Sequence, residues 1–118
     1  MTIVFLTSDL LAASKIVPAA EYSLRTVSTL DALREPAAEA DLIIVDLNGL
    51  SVEQIASAGS LRSGAARPRV IAFGPHVHEA KLQAAREAGC DAVFTRGQFF
   101  AQTGAILRQF AAAPRQEP

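Results

Sequence analysis

The chain has 118 residues, half of them hydrophobic, and its 11 basic and 12 acidic residues give a net charge of −1. This length suits one domain with its own core, and the scattered charges argue against a nucleic-acid surface, where lysine and arginine cluster. The apolar runs are too short to span a membrane. Because no basic leader precedes the apolar start of the chain, we predict a cytoplasmic protein.

Short apolar runs alternate with helical segments, a pattern typical of a parallel sheet covered by helices. The predicted strands cover 2–7, 22–27, 41–46, 70–73 and 92–95. A helix follows each strand. The first is capped by Asp9, the second covers 29–40, and the third begins with Ser51 and Gln54 at capping-box spacing. The fourth covers 77–88, and the last carries an apolar stripe from Phe99 to Phe110. The second strand alternates polar and apolar residues, as an edge strand does.

This alternation predicts an α/β fold: a single doubly wound (βα)5 flavodoxin-like domain with a five-stranded parallel sheet in the order 2-1-3-4-5. We assign the domain to 1–112 and expect a disordered C-terminal tail over 113–118. In this order the first and third strands are neighbours at the switch point, where open α/β sheets bind their ligands.

Two acidic residues stand at the ends of these two neighbouring strands. Asp46 closes the buried run of the third strand, and Asp9 follows the first strand. Because the carboxyl ends of parallel strands share one edge, both carboxylates are expected in one acidic crevice.

The segments Asp41-Leu42-Ile43-Ile44-Val45-Asp46-Leu47 and Ala84-Ala85-Arg86-Glu87-Ala88-Gly89-Cys90-Asp91 resemble the receiver domain of response regulators, the CheY-like superfamily. The first looks like the family's third strand with its phosphoaccepting aspartate, and the second like its fourth helix and the turn into strand five. The resemblance extends over 2–110. It implies a stand-alone, bacterial-type signalling domain of a two-component phosphorelay that is not an enzyme and acts through protein contact.

The resemblance also implies partners: a sensor kinase or a downstream signalling protein, with no nucleic acid and no membrane, for a chain that is a monomer or a homodimer. It assigns roles to seven positions. They are the phosphoacceptor at Asp46, the acidic pair at Ser8 and Asp9, the magnesium-binding carbonyl at Asn48, the strand-four hydroxyl at Gly74, the invariant lysine at Arg96, and the aromatic switch residue at Val93.

Four of these positions depart from the family pattern, so we expect a degenerate receiver. Ser8 offers a neutral oxygen where the family has a carboxylate, so any affinity for magnesium should be weakened, and no other cofactor is expected. Gly74 has no hydroxyl and Val93 no polar tip. Arg96 is larger than lysine and can hold a carboxylate through two bonds, so we hypothesise that it pairs with Asp46 or Asp9 and replaces the metal.

Alternatives remain open at this stage. The favoured version is a pseudo-receiver with impaired magnesium-dependent phosphorylation, and the other is a working receiver phosphorylated on Asp46 by a histidine kinase. A rival of another class is a flavodoxin-like small-ligand or metal-binding enzyme, although no glycine-rich loop follows the first strand. His76 and His78 could bind a transition metal together with a pocket acid, or serve as surface or capping residues.

Overall fold

The computed structural model describes residues 2–16, 22–37, 40–58 and 69–110; the tail predicted at 113–118 lies outside these ranges. The strands are β1 (Thr2–Leu6), β2 (Ser23–Val27), β3 (Leu42–Asp46), β4 (Arg69–Gly74) and β5 (Ala92–Thr95). The helices within the described residues are α1 (Leu10–Lys15), α2 (Leu30–Ala37), α3 (Val52–Ala58), α4 (Glu79–Glu87), α5 (Arg96–Ala101) and α6 (Thr103–Phe110).

The strands form one parallel sheet in the order β2-β1-β3-β4-β5, which confirms the predicted topology. Each residue of β3 is buried, as expected for a strand at the centre of a sheet covered on both faces. Strands β1 and β3 pair directly, with Leu6 opposite Val45. One residue further along, Thr7 and Asp46 therefore lie side by side at the carboxyl edge of the sheet.

The core has two halves, one on each face of the sheet. Alternate β1 side chains separate onto them: Val4 and Leu6 pack with residues of α2, α3 and α4, and Ile3 and Phe5 pack with residues of α1, α5 and α6. Burying a large apolar side chain of this kind contributes roughly 1.5–3 kcal/mol. The resulting two-sided sheet is a rigid base for the loops at its carboxyl edge.

Local capping interactions fix several helix ends. The predicted capping box opens α3, with the Gln54 N–H donating to Ser51 Oγ at 3.1 Å and the Ser51 N–H donating to Gln54 Oε1 at 2.9 Å. Helix α4 ends in a Schellman motif, in which the Cys90 N–H donates to the carbonyl of Ala85 and Gly89 has a φ of +96°. Both ends were recognisable from sequence because the motifs are local.

The single last helix expected from sequence is wrong, because the segment forms α5 and α6 with a break at Gln102 (φ −129°, ψ 28°). The hydroxyl of Thr103 donates to the carbonyl of Phe99 at 2.9 Å, and the N–H of Gln102 donates to the same carbonyl. These bonds compete with the regular helical ladder and interrupt it. Phe99 and Ile106 of the predicted stripe are nevertheless buried against the sheet.

Candidate functional site

Asp46 lies at the carboxyl end of β3, and the residue is 2% exposed. The hydroxyl of Thr7 donates to its Oδ2 at 2.7 Å, and the backbone N–H of Asn48 donates to its Oδ1 at 3.0 Å. Burying a carboxylate is costly unless its oxygens are hydrogen-bonded. Each oxygen of Asp46 has a protein donor, so the group is held in place by its immediate neighbours.

Thr7 is the residue of this site that sequence analysis missed. It is 5% exposed, and its Oγ1 also accepts a hydrogen bond from the N–H of Asp9 at 3.0 Å. One hydroxyl therefore joins Asp46 to the backbone of Asp9. The available sequence signal was a hydroxyl residue at the end of the first predicted strand.

Asp9 caps the first turn of α1, as predicted, by accepting the N–H of Leu11 on Oδ1 at 3.0 Å. Its other oxygen, Oδ2, accepts a hydrogen bond from Arg96 and forms an ion pair with it at 3.3 Å. Of the two partners that sequence analysis left open for Arg96, the structure shows Asp9.

The ionisation of Asp9 reflects opposing influences. Burial raises the pKa of Asp9, whereas the backbone N–H groups of Leu11 and Ala12 and the guanidinium of Arg96 lower it, and together they hold the pKa below its ordinary value of 3.8. The carboxylate form is therefore favoured in the folded protein.

Asp46 and Arg96 line different cavities. Asp46 contributes to a cavity of about 230 Å³ with Ser8, Asn48 and other polar and apolar residues near the carboxyl ends of β1, β2 and β3. Arg96 lines a cavity of about 530 Å³ with Lys15 of α1 and Phe100 of α5. Hydrogen bonds between Asp46 and Thr7, between Thr7 and Asp9, and between Asp9 and Arg96 link the linings of the two cavities.

The two switch positions are packed with apolar groups. A Cβ placed on Gly74 would lie 3.2 Å from the Cβ of Leu47 and 3.6 Å from Cδ2 of Leu82. Gly74 itself is buried, so a side chain at this position would require Leu47 to shift slightly. Val93 packs against the half of the core that includes α4.

The donor set does not fit a magnesium site. Magnesium requires oxygen ligands in an octahedral array, but Oδ2 of Asp9 faces a guanidinium that would repel a cation. Within the described ranges, no cluster of three His, Cys, Asp or Glu side chains could hold a metal ion, and this includes the surroundings of His76 and His78.

The two histidines occupy different settings. His76 is exposed and lines the cavity that contains Arg96. His78 stands at the N-cap position of α4, where its side chain makes no capping bond, and its Nδ1 is buried without a hydrogen-bond partner in the described part of the chain.

The sheet order and the likeness to solved response-regulator structures show that this chain has the CheY-like fold that the sequence resemblance implied. No protein-family model matches the chain, and no curated protein matches it significantly. None of the helices in the described segments has both the length and the hydropathy needed to traverse a bilayer.

Several solved structures are similar to this chain. The phosphorylated cyanobacterial phytochrome response regulator RcpA has a TM-score of 0.73 and 16% identity, with 96% of each chain covered. A putative pilus assembly-related protein from Burkholderia pseudomallei has a TM-score of 0.69 and 15% identity over 100% of this chain and 94% of that one. The CheY-like protein tadZ from Pseudomonas aeruginosa has a TM-score of 0.60 and 22% identity, covering 99% and 98%. At these identities the likeness establishes the fold.

Proposed function

We propose that this chain is a cytoplasmic, receiver-like signalling domain that works as a pseudo-receiver: it acts through protein contact, and magnesium-dependent phosphorylation of Asp46 is impaired. The observation that carries the proposal is the state of Asp46: the residue is 2% exposed, and both oxygens of its carboxylate are hydrogen-bonded. Phosphoryl transfer needs an attacking oxygen that can align with the donor phosphorus. Here that oxygen must first be uncovered and released by Thr7 or Asn48.

The groups that would stabilise a transferring phosphoryl group are also depleted. Catalysis of this reaction depends on positive charge and hydrogen-bond donors arranged around the phosphoryl oxygens. Arg96 is committed to an ion pair with Asp9, and Gly74 offers no hydroxyl. The same ion pair places a positive charge where a metal would need negative ligands.

Contact with a protein partner is supported by apolar groups around this edge. Three large hydrophobic side chains are exposed in the described ranges: Leu11 (73%), Val52 (45%) and Val77 (71%). Each follows a strand at its carboxyl end, after β1, β3 and β4 respectively, so they lie at the same edge of the sheet. A sensor kinase or a downstream signalling protein that buried them would remove apolar surface from water.

The test is to incubate the protein with a small phosphodonor, acetyl phosphate, and magnesium, and then to measure the intact mass. We expect no stable gain of a phosphoryl group. A gain that disappears in Asp46→Asn but persists in Asp31→Asn, a matched change on an exposed residue of α2, would show that the domain is a working receiver and would overturn the proposal.

A gain-of-function variant provides a second arm. Ser8→Asp combined with Arg96→Lys restores two positions of the receiver pattern and releases Asp9 from the guanidinium. If the depleted site is the cause of the impairment, this variant should accept phosphate on Asp46 under conditions in which the natural sequence does not.

A further inference from the structure

We propose that the cavity between α1 and α5 is a binding site for a small organic anion, one with a carboxylate or phosphate head and an apolar body. Its volume is about 530 Å³, within the usual range for small-molecule sites. The cavity is separate from the one that Asp46 lines, so the argument for this site holds whether or not Asp46 accepts phosphate.

The charged side chains that line the cavity, Lys15 and Arg96, are both positive. The Nζ of Lys15 lies 5.0 Å and the Cζ of Arg96 lies 5.1 Å from the ring centroid of Phe100. Because both distances end at one centroid, the two cations cannot be further apart than the sum of these distances. His76 adds an imidazole, and the lining contains no carboxylate. Both cations thus lie near the same ring, and an anion placed beside that ring would be attracted by both.

Arg96 and Lys15 differ in whether a carboxylate already forms an ion pair with them. Arg96 shares its charge with Asp9, whereas no carboxylate in the described segments forms an ion pair with Lys15. An incoming anion would therefore gain its main attraction from Lys15. It would also compete with Asp9 for the guanidinium, since arginine can hold a second carboxylate or phosphate oxygen in its planar fork.

The apolar part of the cavity is preformed. Phe100 makes edge-to-face contacts with the buried rings of Phe73, at 5.2 Å, and Phe99, at 5.1 Å. Pro75 also contributes to the lining. A ring fixed in this way loses little conformational entropy when a ligand packs on it. The lining thus suits a molecule with a flat or compact apolar body and one anionic end.

The experiment titrates the full chain, labelled with ¹⁵N, with phenyl phosphate and benzoate at low salt while amide chemical shifts are followed. Benzyl alcohol and benzylamine are the matched neutral and cationic probes. We expect saturable shifts at Thr95 to Gly97 and at the end of α1 with at least one of the two anions, with a dissociation constant on the order of 1 mM. Whichever head group binds more tightly identifies the preferred chemistry. Benzyl alcohol binding as tightly as the anions, or no saturation by either anion, would overturn the proposal.

Variants then locate the site. Lys15→Gln should weaken anion binding about tenfold, and Lys15→Arg should retain it, since the charge is kept. Lys81→Gln, the same change on α4 outside the cavity, is the control and should leave binding unchanged. Lys15 is exposed and Lys81 is half-buried, and neither belongs to the buried core, so the amide spectrum should stay that of the folded chain. Equal weakening by Lys15→Gln and Lys81→Gln would mean that binding reflects overall charge and would refute the assignment.

Discussion

Replacing Thr7 with valine tests the hydrogen bond that holds Asp46 in place. Valine keeps the branched shape but removes the hydroxyl, so Oδ2 of Asp46 loses its donor at 2.7 Å. Thr7 and Asp46 are 5% and 2% exposed, so bulk water has little access to replace that donor. A hydrogen bond to a charged group is worth about 1.5–3 kcal/mol. We therefore expect Thr7→Val to lower the free energy of unfolding by about 2 kcal/mol.

A double-mutant cycle separates this bond from general packing. In an Asp46→Ala background the Thr7 hydroxyl no longer donates to a carboxylate. Thr7→Val should therefore lower the free energy of unfolding by less than about 1 kcal/mol in that background. Thr26→Val on β2 is the matched control. Thr26 is exposed, and its replacement should change the free energy of unfolding by no more than about 0.5 kcal/mol.

The assay is urea unfolding followed by circular dichroism, with the midpoint and slope fitted for each variant. An unchanged slope would show that the variants differ in stability and not in the compactness of the unfolded chain. The reasoning would be refuted if Thr7→Val cost as much in the Asp46→Ala background as in the natural sequence, since the loss would then come from packing or from the lost acceptor of the Asp9 N–H.

Three further predictions concern single residues. The pKa of Asp9 is lowered on folding, so its carboxylate stabilises the folded chain at a pH above its unfolded pKa. This contribution is lost as the pH falls through the lower folded value. In unfolding curves measured from pH 5 downward, the free energy of unfolding should therefore fall less steeply with pH for Asp9→Asn than for the natural sequence. Gly74→Ser places a Cβ 3.2 Å from that of buried Leu47, so it should lower the free energy of unfolding by about 1–2 kcal/mol in urea titrations. Ser51→Ala removes the acceptor of the Gln54 N–H, so stability should fall by about 1 kcal/mol and hydrogen exchange should accelerate in the first turn of α3.

The sheet could be predicted because its signals are local or periodic. The run from Leu42 to Val45 is apolar throughout, which is typical of a strand covered on both faces. The alternation of strands and helices then restricts the topology through the right-handed crossover rule. The cap by Ser51 and Gln54 was found for the same reason, since both residues of the motif lie within four positions of sequence.

The details of the site could not be predicted because they depend on side-chain directions between distant residues. Sequence placed positions 9, 46 and 96 at one edge, but the choice of Asp9 over Asp46 as the partner of Arg96 depends on how α1 and α5 pack. The break at Gln102 was missed because the helical stripe continues through it, while the hydroxyl of Thr103 selects a different bond. Periodicity does not register competition of that kind.

The contacts at the carboxyl edge also suggest where a signal could leave this domain. The hydroxyl of Thr7 donates to Asp46 and accepts from the backbone of Asp9, whose carboxylate holds Arg96. By contrast, Gly74 has no side chain to report a change at Asp46. Because the polar side-chain contacts of Asp46 run through Thr7 and Asp9 toward Arg96 and not toward β4, we expect a change in the charge or position of Asp46 to act first on the cavity that Arg96 shares with Lys15. The edge of the sheet between α1 and α5 is therefore the part of the molecule where partner binding and anion binding would influence each other.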